Sequence, residues 1–331
     1  MEDHEHHHQV PGRSGCCRRL VALGGALLLT AALPALQAVP AAAAAASGNA
    51  SAAAVAGASA AARTLLDWGN NAFGELGDGM SGLSSPYSDV PVKVKLPAGT
   101  TVLAAAAGCD HGLALTSAGR VLAWGDNNED QLGDGSTTSR DTPVQVKLPA
   151  GTKITAISAG CYHSLALTSA GRVLAWGYNA SGQLGNGSTT SRDTPVTIAT
   201  SPGGPPVGKV TALSAGCNHS LALTSRGVVL AWGFGGDGQL GDGSMADRHT
   251  AVRVKLPAGT KATAISAGCL QGLALTSAAR VLAWGENSVG QLGDGTTTNR
   301  DHPVAVKLAA RLKAIAIAAG STAEQGFAFI G

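Results

Sequence analysis

Residues 154–195 read ITAISAGCYHSLALTSAGRVLAWGYNASGQLGNGSTTSRDTP, and close copies of this stretch return along the chain. HGLALTSAGRVLAWG occupies 111–125, HSLALTSRGVVLAWG occupies 219–233, and QGLALTSAARVLAWG occupies 271–285. Five tryptophans mark the period at spacings of 56, 52, 56 and 52 residues, and they are Trp68, Trp124, Trp176, Trp232 and Trp284. A recurrence this regular indicates a repeat protein whose units stack on one another.

Each unit predicts four short strands. In the unit quoted above, Gly171 supplies the left-handed conformation that a three-residue hairpin loop needs. Pro195 marks the last strand as an outer edge strand. Four-stranded sheets that repeat radially define a β-propeller, whereas the lack of a helical period excludes an α-solenoid. The four predicted strands are 154–158, 163–168, 172–176 and 196–198.

The two ends of the repeat region predict a closed fold. LLDWGNN (65–71) matches the third strand of a unit, and GFAFIG (326–331) matches the second strand. Pairing of these segments would complete one blade from both termini and remove exposed sheet edges. We therefore predict an all-β fold over residues 64–331, a propeller of about five four-stranded blades closed by the N- and C-terminal strands.

The N-terminal region predicts export. Three arginines within 13–19 precede an apolar run at 20–36, and small residues follow it, as in a secretory signal. We assign residues 1–46 to this signal, with cleavage between Ala38 and Ala46, and residues 47–63 to an Ala-rich linker. An uncleaved membrane anchor is the alternative, since the run is at the short edge for a spanning helix. The expected location is secreted or cell-surface.

Composition excludes two classes of protein. The chain has 23 Lys+Arg and 21 Asp+Glu, a net charge of +2, so it lacks the basic excess expected of a nucleic-acid partner. With 44% hydrophobic residues and almost no net charge, it can bury a core and is not disordered by charge.

The AGxxHSLALT, RVLAWGxN and GQLGDG segments together resemble the regulator-of-chromosome-condensation repeat family, over about residues 65–331. The resemblance implies a propeller, for which about seven blades are usual, so five would be a departure. No unit carries a long insertion like the wedge through which the family's founder contacts its small GTPase, which argues against a nuclear exchange factor. The family also includes exported bacterial propellers that inhibit β-lactamases, so the resemblance implies protein inhibition as one form of a binding role.

The glycine-rich turn loops offer oxygen atoms to a cation. Asp134, Ser136, Thr138 and Asp141 could serve calcium, but no acidic residue closes the set, and these are ordinary turn residues. We favour the turn interpretation. A phosphate-binding role is disfavoured because the loops do not open a helix.

A Cys-x-His pattern occurs three times and invites a zinc or nucleophile hypothesis. We favour an imidazole that bonds the adjacent loop, beside a small buried thiol, in each blade. Equivalent cysteines in neighbouring blades are expected to lie beyond the roughly 7 Å that a disulfide allows, which predicts free thiols. No catalytic residue, metal or cofactor is predicted. The three pairs are Cys109/His111, Cys161/His163 and Cys217/His219.

Two slots vary between units whose other positions repeat almost unchanged. One follows the cysteine, and the other lies two residues after the tryptophan. Hairpin symmetry about Ala170 places Tyr162 opposite Tyr178, so both slots meet at one rim of each blade. Aromatic side chains beside carboxylates on rigid loops suit recognition of a protein or glycan, whereas drift at unconstrained surface positions is the alternative. The predicted partner-binding residues are Tyr162, Tyr178, Phe234, Asp110, Asp126 and Glu286.

These features predict an exported, non-catalytic scaffold that binds an extracellular protein or glycan through its rim, with no nucleic-acid partner. A membrane contact is expected only if the signal stays uncleaved. One alternative is a hydrolase or lyase acting on extracellular polysaccharide, for which Asp110 and Asp126 are the only candidate acid pair. The other is a purely structural cell-surface protein.

Overall fold

The computed structural model describes residues 64–199, 208–320 and 325–331, whose regular structure is antiparallel β-sheet. The predicted signal, 1–46, and the linker, 47–63, lie outside the described residues. None of the described segments is a helix with the length and apolar character needed to traverse a bilayer.

Twenty strands form six sheets, and a single 3-10 turn at Gly82–Ser84 is the one helical segment of the described ranges. The N-terminal half-blade holds β1 (Leu66–Asn70) and β2 (Tyr87–Lys93). Blade 1 holds β3 (Val102–Ala107), β4 (His111–Thr116), β5 (Val121–Gly125) and β6 (Arg140–Gln145). Blade 2 holds β7 (Ile154–Ala159), β8 (His163–Thr168), β9 (Val173–Gly177) and β10 (Arg192–Thr197).

The remaining strands repeat the same arrangement. Blade 3 holds β11 (Val210–Ala215), β12 (His219–Thr224), β13 (Val229–Gly233) and β14 (Arg248–Arg253). Blade 4 holds β15 (Ala262–Ala267), β16 (Gln271–Thr276), β17 (Val281–Gly285) and β18 (Arg300–Ala305). The C-terminal half-blade holds β19 (Ala314–Ala319) and β20 (Gly326–Ile330).

Within each complete blade the strands pair in chain order, as the sequence predicts. In blade 2, His163 is paired with Gly177, and Gly171 closes the β8–β9 hairpin with a φ of 78°, in the left-handed region. The fourth strand starts at Arg192, earlier than predicted, because a bulge between Arg192 and Val196 lets it pair along β9. It lies at the sheet's outer edge, where a strand proline is tolerated.

The core lies between blades rather than within one sheet. All residues of β8 and β9 are buried, because blades cover both faces of their sheet, which explains the weak alternation in sequence. The first strands of successive blades lie next to one another, and so do β8 and β11. The interior is a series of apolar layers, each shared by two neighbouring sheets.

Each complete blade anchors itself on the unit before it through its tryptophan. The four indoles are at most 2% exposed, and each Nε1–H donates to a main-chain oxygen in the preceding unit's turn loop. The donor–acceptor pairs are Trp124 to Glu75 (2.7 Å), Trp176 to Gln131 (2.9 Å), Trp232 to Gln183 (2.8 Å) and Trp284 to Gln239 (2.9 Å).

The structure confirms an all-β propeller of four-stranded blades and corrects one part of the prediction. In the described residues, β1 pairs with β2 alone and β20 pairs with β19 alone, so the expected closure is not formed. The two half-blades together hold the four strands of a fifth blade. The sequences of β1 and β20 match those of paired strands in the complete blades, so the edges of the two half-blades are complementary. Whether these edges meet depends on the rotation between successive blades, which the pattern of strands in the sequence does not determine.

Candidate interaction rim

The two variable slots of each blade meet across the β-hairpin, as the hairpin symmetry predicts. In each complete blade the backbone N–H of the second slot donates to the carbonyl of the first. We call these four pairs the rim. They are Asp126 to Asp110 (2.7 Å), Tyr178 to Tyr162 (2.9 Å), Phe234 to Asn218 (2.9 Å) and Glu286 to Leu270 (2.9 Å). Because every pair lies inside a complete sheet, the rim does not depend on closure of the end sheets.

The aromatic pair of blade 2 is joined by a ring-to-ring contact. The rings of Tyr162 and Tyr178 are 6.4 Å apart between centroids and meet at 79°, an edge-to-face contact. Both side chains are half-buried, so each keeps a face toward solvent while its partner fixes its orientation. Little conformational entropy remains to be lost when a ligand covers them.

Asp126 differs from the other predicted residues because it is buried, at 6% exposure. Its carboxylate accepts hydrogen bonds from the side chains of Asn128 (2.7 Å), Gln131 (3.0 Å) and Ser139 (3.1 Å). These contacts hold the loop that follows β5. Asp126 therefore stabilises the loop that supports the rim and is too buried to contact a partner.

A set of partly desolvated carboxylates runs along the rim beside blade 1. Burial and the nearby charge of Asp126 raise the pKa of Asp110. Burial raises the pKa of Glu75 and outweighs backbone hydrogen bonds that lower it, including one from the Phe73 N–H, while repulsion from Asp110 and Asp126 adds to the rise. Burial, followed by repulsion from Asp130 and Asp126, raises the pKa of Glu129. Each of these carboxylates would be stabilised by an incoming positive charge.

The acidic set reaches the aromatic pair. Burial raises the pKa of the Tyr178 phenol, and the neighbouring charge of Glu129 raises it further. Glu129 therefore lies between the carboxylates of blade 1 and the tyrosines of blade 2. Together, Glu75, Asp110, Glu129, Tyr162 and Tyr178 form an acidic–aromatic sector of the rim.

The rim residues of blades 3 and 4 include a single carboxylate, that of Glu286. Phe234 and Asn218 on blade 3, and Leu270 and Glu286 on blade 4, are half-buried. The Glu286 carboxylate accepts a hydrogen bond from Ser288 (3.1 Å). The structure thus places all six predicted residues at the rim but groups only Asp110, Tyr162 and Tyr178 with the acidic–aromatic sector as accessible members.

Sequence reasoning missed Glu75 and Glu129, because both lie in turn loops that repeat as structural segments. A signal was present. Glu75 occupies the place that Gln131, Gln183 and Gln239 hold in the other loops, and Glu129 lies in a loop that lacks the usual glycine. Charged departures from a repeat were therefore informative inside the scaffold as well as at the variable slots.

The turn-loop residues considered for calcium accept hydrogen bonds from their own loop and from the loop of the preceding unit. The Asp134 carboxylate accepts hydrogen bonds from Ser136 (2.7 Å) and Arg140 (2.9 Å). Burial alone would raise its pKa, but these bonds outweigh burial and lower it. The carbonyls of Thr138 and Asp141 accept from Asn127 (3.2 Å) and Gly79 (2.8 Å). Among the described residues, no three His, Cys, Asp or Glu side chains are grouped as metal ligands.

The Cys-x-His prediction needs a correction. The cysteines are not free thiols, since Cys109 is bonded to Cys161 and Cys217 to Cys269, with Cα atoms 4.4 and 4.5 Å apart. Each cysteine follows the first strand of its blade, and the first strands of neighbouring blades lie side by side. Blades therefore converge at this position, which brings equivalent cysteines within disulfide range, contrary to the spacing that we predicted.

All three histidines are buried, and two of them link neighbouring blades rather than binding the adjacent loop. His111 Nε2 is 2.9 Å from Ser164 Oγ, and His163 Nε2 is 2.9 Å from Ser220 Oγ. Burial lowers the pKa of His111 to about 4, that of His163 to about 3 and that of His219 to about 4. The imidazoles are neutral at physiological pH, and those of His111 and His163 act as structural hydrogen-bonding groups.

The architecture and the repeated loops identify a propeller built on one repeated hairpin unit, and comparison with known proteins defines its class. Residues 31–324 match the family model of the RCC1-like domain. The chain belongs to the RCC1-like propeller family.

Relatives of known name share this region. The ultraviolet-B receptor UVR8 of Arabidopsis thaliana is 32% identical over 253 residues, covering 76% of this chain and 56% of that protein. The human E3 ubiquitin-protein ligase HERC2 is 33% identical over 260 residues, covering 78% of this chain but 5% of that protein. This chain thus spans about half of UVR8 and a small part of HERC2.

Solved structures agree with the fold. Prp20p of Saccharomyces cerevisiae, described with its binding properties to Gsp1p and histones, superposes with a TM-score of 0.64 at 28% identity over 77% of this chain and 62% of that one. Human WBSCR16 superposes with a TM-score of 0.67 at 24% identity over 77% of this chain and 65% of that one.

Proposed function

We propose that this chain is an exported, non-catalytic propeller that binds another protein through the acidic–aromatic sector of its rim. The observation that carries the proposal is the Tyr162–Tyr178 edge-to-face pair, bordered by Glu129 and held on a rigid hairpin. Preorganised aromatic side chains are the commonest anchors of protein interfaces. The binding of Gsp1p and histones described for Prp20p gives this role a precedent within the fold.

The chemistry of the sector favours a basic partner surface. The pKa values of Glu75, Asp110 and Glu129 are all raised, mainly by burial, which means that their charges are poorly solvated. A Lys or Arg side chain placed among them would regain the lost solvation as Coulomb attraction and could stack on a tyrosine ring. Binding of this kind weakens as salt is added.

A polysaccharide hydrolase or lyase is less well supported. That alternative required Asp110 and Asp126 as a pair of working carboxyl groups. The Asp126 carboxylate is buried and accepts bonds from Asn128, Gln131 and Ser139, so it is already committed to the loop. We therefore assign the sector to binding.

Two observations support export. The sequence carries a basic segment, an apolar run at 20–36 and Ala-rich cleavage options in the order of a secretory signal. The disulfides Cys109–Cys161 and Cys217–Cys269 suit an oxidising compartment, because thiols are kept reduced in the cytosol. An inhibitor of a secreted enzyme is one form that such a binder would take.

The rim is tested by capture from the exported fraction on immobilised full-length chain. We expect the wild type to retain a salt-sensitive protein partner and the Tyr162→Ala/Tyr178→Ala variant to lose about tenfold or more of it. The matched control is Ser169→Ala/Arg172→Ala, which changes two exposed residues at the opposite end of the same hairpin. Equal capture by the tyrosine variant and the control would show that the rim is not the binding surface.

Export is tested separately by fractionation of cells that express the full chain or a form lacking residues 1–46. The full chain should reach the exported fraction with its disulfides formed, and the truncated form should stay inside with its thiols reactive toward alkylation. Retention of both forms inside the cell would contradict export without bearing on the rim.

A further inference from the structure

The repeated tryptophan contact defines a site with recognisable parts, which we call the indole socket. One part is the main-chain oxygen that accepts from Nε1–H, and another is a glycine two residues later against which the indole lies. A Cβ on that glycine would meet the indole at 2.7–2.9 Å, so only glycine leaves room for the ring. The four glycines are Gly77, Gly133, Gly185 and Gly241.

Blade 4 carries the parts of a fifth socket. No tryptophan among the described residues occupies it. Gln291 and Gly293 stand where Gln239 and Gly241 stand one unit earlier. A Cβ on Gly293 would meet only Val306, at 3.1 Å. Beside these residues lies a cavity of about 190 Å³. Its apolar walls come from β16, β17 and β20 and from the loops around them, and they include Leu273, Leu292, Val306 and Ala328.

The opposite end of the propeller carries an indole with no such site around it. Trp68 on β1 holds the place of the four buried tryptophans in the repeat, yet it is 63% exposed. The edges of both half-blades also expose apolar side chains, Leu66 at 46% on β1 and Phe327 at 49% on β20. The N-terminal half-blade thus exposes an indole, whereas the socket beside the C-terminal half-blade has none among the described residues.

The complete blades fix the register in which the two ends would join. In blade 1, His111 pairs with Gly125 and Gly112 pairs with Trp124. Gln325 and Gly326 hold the places of His111 and Gly112, because Gly326 pairs with Ala319 as Gly112 pairs with Ala107. Applied to β20 and β1, this register sets Gly326 opposite Trp68 and Phe327 opposite Asp67. Trp68 then faces blade 4, where the indole socket lies.

We propose that the occupant of the fifth socket is Trp68 of a second copy of this chain. β1 of one copy adds to the free edge of β20 on the next, which completes a four-stranded blade from two chains, and Trp68 donates to the Gln291 carbonyl. A second copy is favoured over the same chain because both half-blades are present in one chain and still form separate sheets, with Trp68 exposed. The contact is head-to-tail, so it propagates unless the assembly closes on itself.

Engineered cysteines at facing edge positions distinguish the occupants. Asp67→Cys and Phe327→Cys change facing residues that alternate along their strands with Trp68 and Gly326, and Phe327 also borders the cavity. When the two single variants are mixed and oxidised, we expect a disulfide between the two different chains, read as a doubled mass on a non-reducing gel. Adding Trp68→Ala to the Asp67→Cys variant should lower the yield about tenfold. Two controls accompany this experiment. Mixing each variant with wild type controls for bridges to the native cysteines, and mixing Phe327→Cys with Arg172→Cys controls for chance contacts.

Other outcomes overturn the proposal. A double variant, Asp67→Cys/Phe327→Cys, that forms its bridge within one chain at high dilution would show that the same chain fills the socket. No bridging above the controls, or bridging that ignores Trp68→Ala, would show that another group fills it. Sedimentation of the wild type over a range of concentrations gives an independent measure, since the contact requires an assembly that dissociates on dilution and is lost in Trp68→Ala.

Discussion

Trp232 and Trp68 hold the same position in the repeated unit, but their surroundings are opposite. Trp232 is completely buried between blades 2 and 3 and donates to Gln183, whereas Trp68 is 63% exposed on the edge of a two-stranded sheet. The local sequences around them, VVLAWGF and TLLDWGN, are similar in their apolar character. What differs, among the described residues, is whether a preceding unit stands beside the tryptophan.

The difference shows where this fold keeps its stability. A unit's apolar residues become core only when the preceding unit supplies the other wall, as expected for nearest-neighbour stacking. The inner blades therefore combine buried indoles, buried imidazoles and two interblade disulfides, while the end sheets leave Trp68, Phe327 and Phe329 about half exposed or more.

Acid should have the largest effect, because it acts on three inner imidazoles together. The folded-state pKa values are about 4 for His111, about 3 for His163 and about 4 for His219, all lowered first by burial. The unfolded chain takes up these protons near pH 6.5, so the stabilisation is complete above that pH and is lost as the pH falls toward about 4. Urea unfolding measures this loss. Between about pH 7.5 and about pH 4.5, we expect the free energy of unfolding to fall by on the order of 1–3 kcal/mol for each imidazole.

A matched variant isolates the histidine contribution from that of the carboxylates. Gln271 already occupies the same position in blade 4, so His163→Gln is a substitution that the repeat accommodates. The variant should lose about a third of the pH dependence. An unchanged pH dependence would mean that the imidazoles are not the titrating groups.

Truncation of an indole tests the comparison directly. Trp232→Ala should lower the free energy of unfolding by about 3–5 kcal/mol, the usual cost of emptying a large buried site. Trp68→Ala should change it by no more than about 0.5 kcal/mol at concentrations low enough to keep the chain monomeric. Denaturant titration measures both, and equal losses would show that Trp68 is buried in the monomer.

Removal of one interblade hydroxyl should have the smallest effect. Ser220 Oγ lies 2.9 Å from His163 Nε2 and donates to the Gln183 carbonyl at 3.1 Å, so it joins blade 3 to blade 2. Ser220→Ala leaves a buried imidazole nitrogen without its partner and should cost about 1–2 kcal/mol in thermal or denaturant unfolding. Ser169→Ala, on an exposed turn, is the control and should be neutral. Gly272 replaces the serine opposite His219, so the repeat itself shows that the link is not needed at every junction.

The sequence predicts the parts of the fold that depend on neighbours along the chain. The hairpin symmetry about Ala170 gives the Tyr162–Tyr178 pairing, and the glycine at 171 gives the turn conformation. Contacts between units were not predictable in the same way. The convergence of Cys109 and Cys161, and the failure of β1 to meet β20, depend on how each blade is tilted and rotated against the next.

For the rim, the sequence likewise predicts the positions of the variable slots but not the burial of the side chains that occupy them. Variation between units identifies the slots of Asp110, Tyr162 and Tyr178, but the burial of Asp126 depends on its bonds to Gln131 and Ser139. A charged residue at a variable slot can therefore be part of the scaffold, and only side-chain coordinates separate the two cases.

The disulfides have a mechanical consequence. They tie blade 1 to blade 2 and blade 3 to blade 4, and no disulfide of the described residues crosses from blade 2 to blade 3. Among the four complete blades, the middle junction is therefore the one that tension or protease digestion could open without breaking a covalent bond. Each half would come away as a covalently fastened pair of blades, so rupture would proceed two blades at a time instead of one.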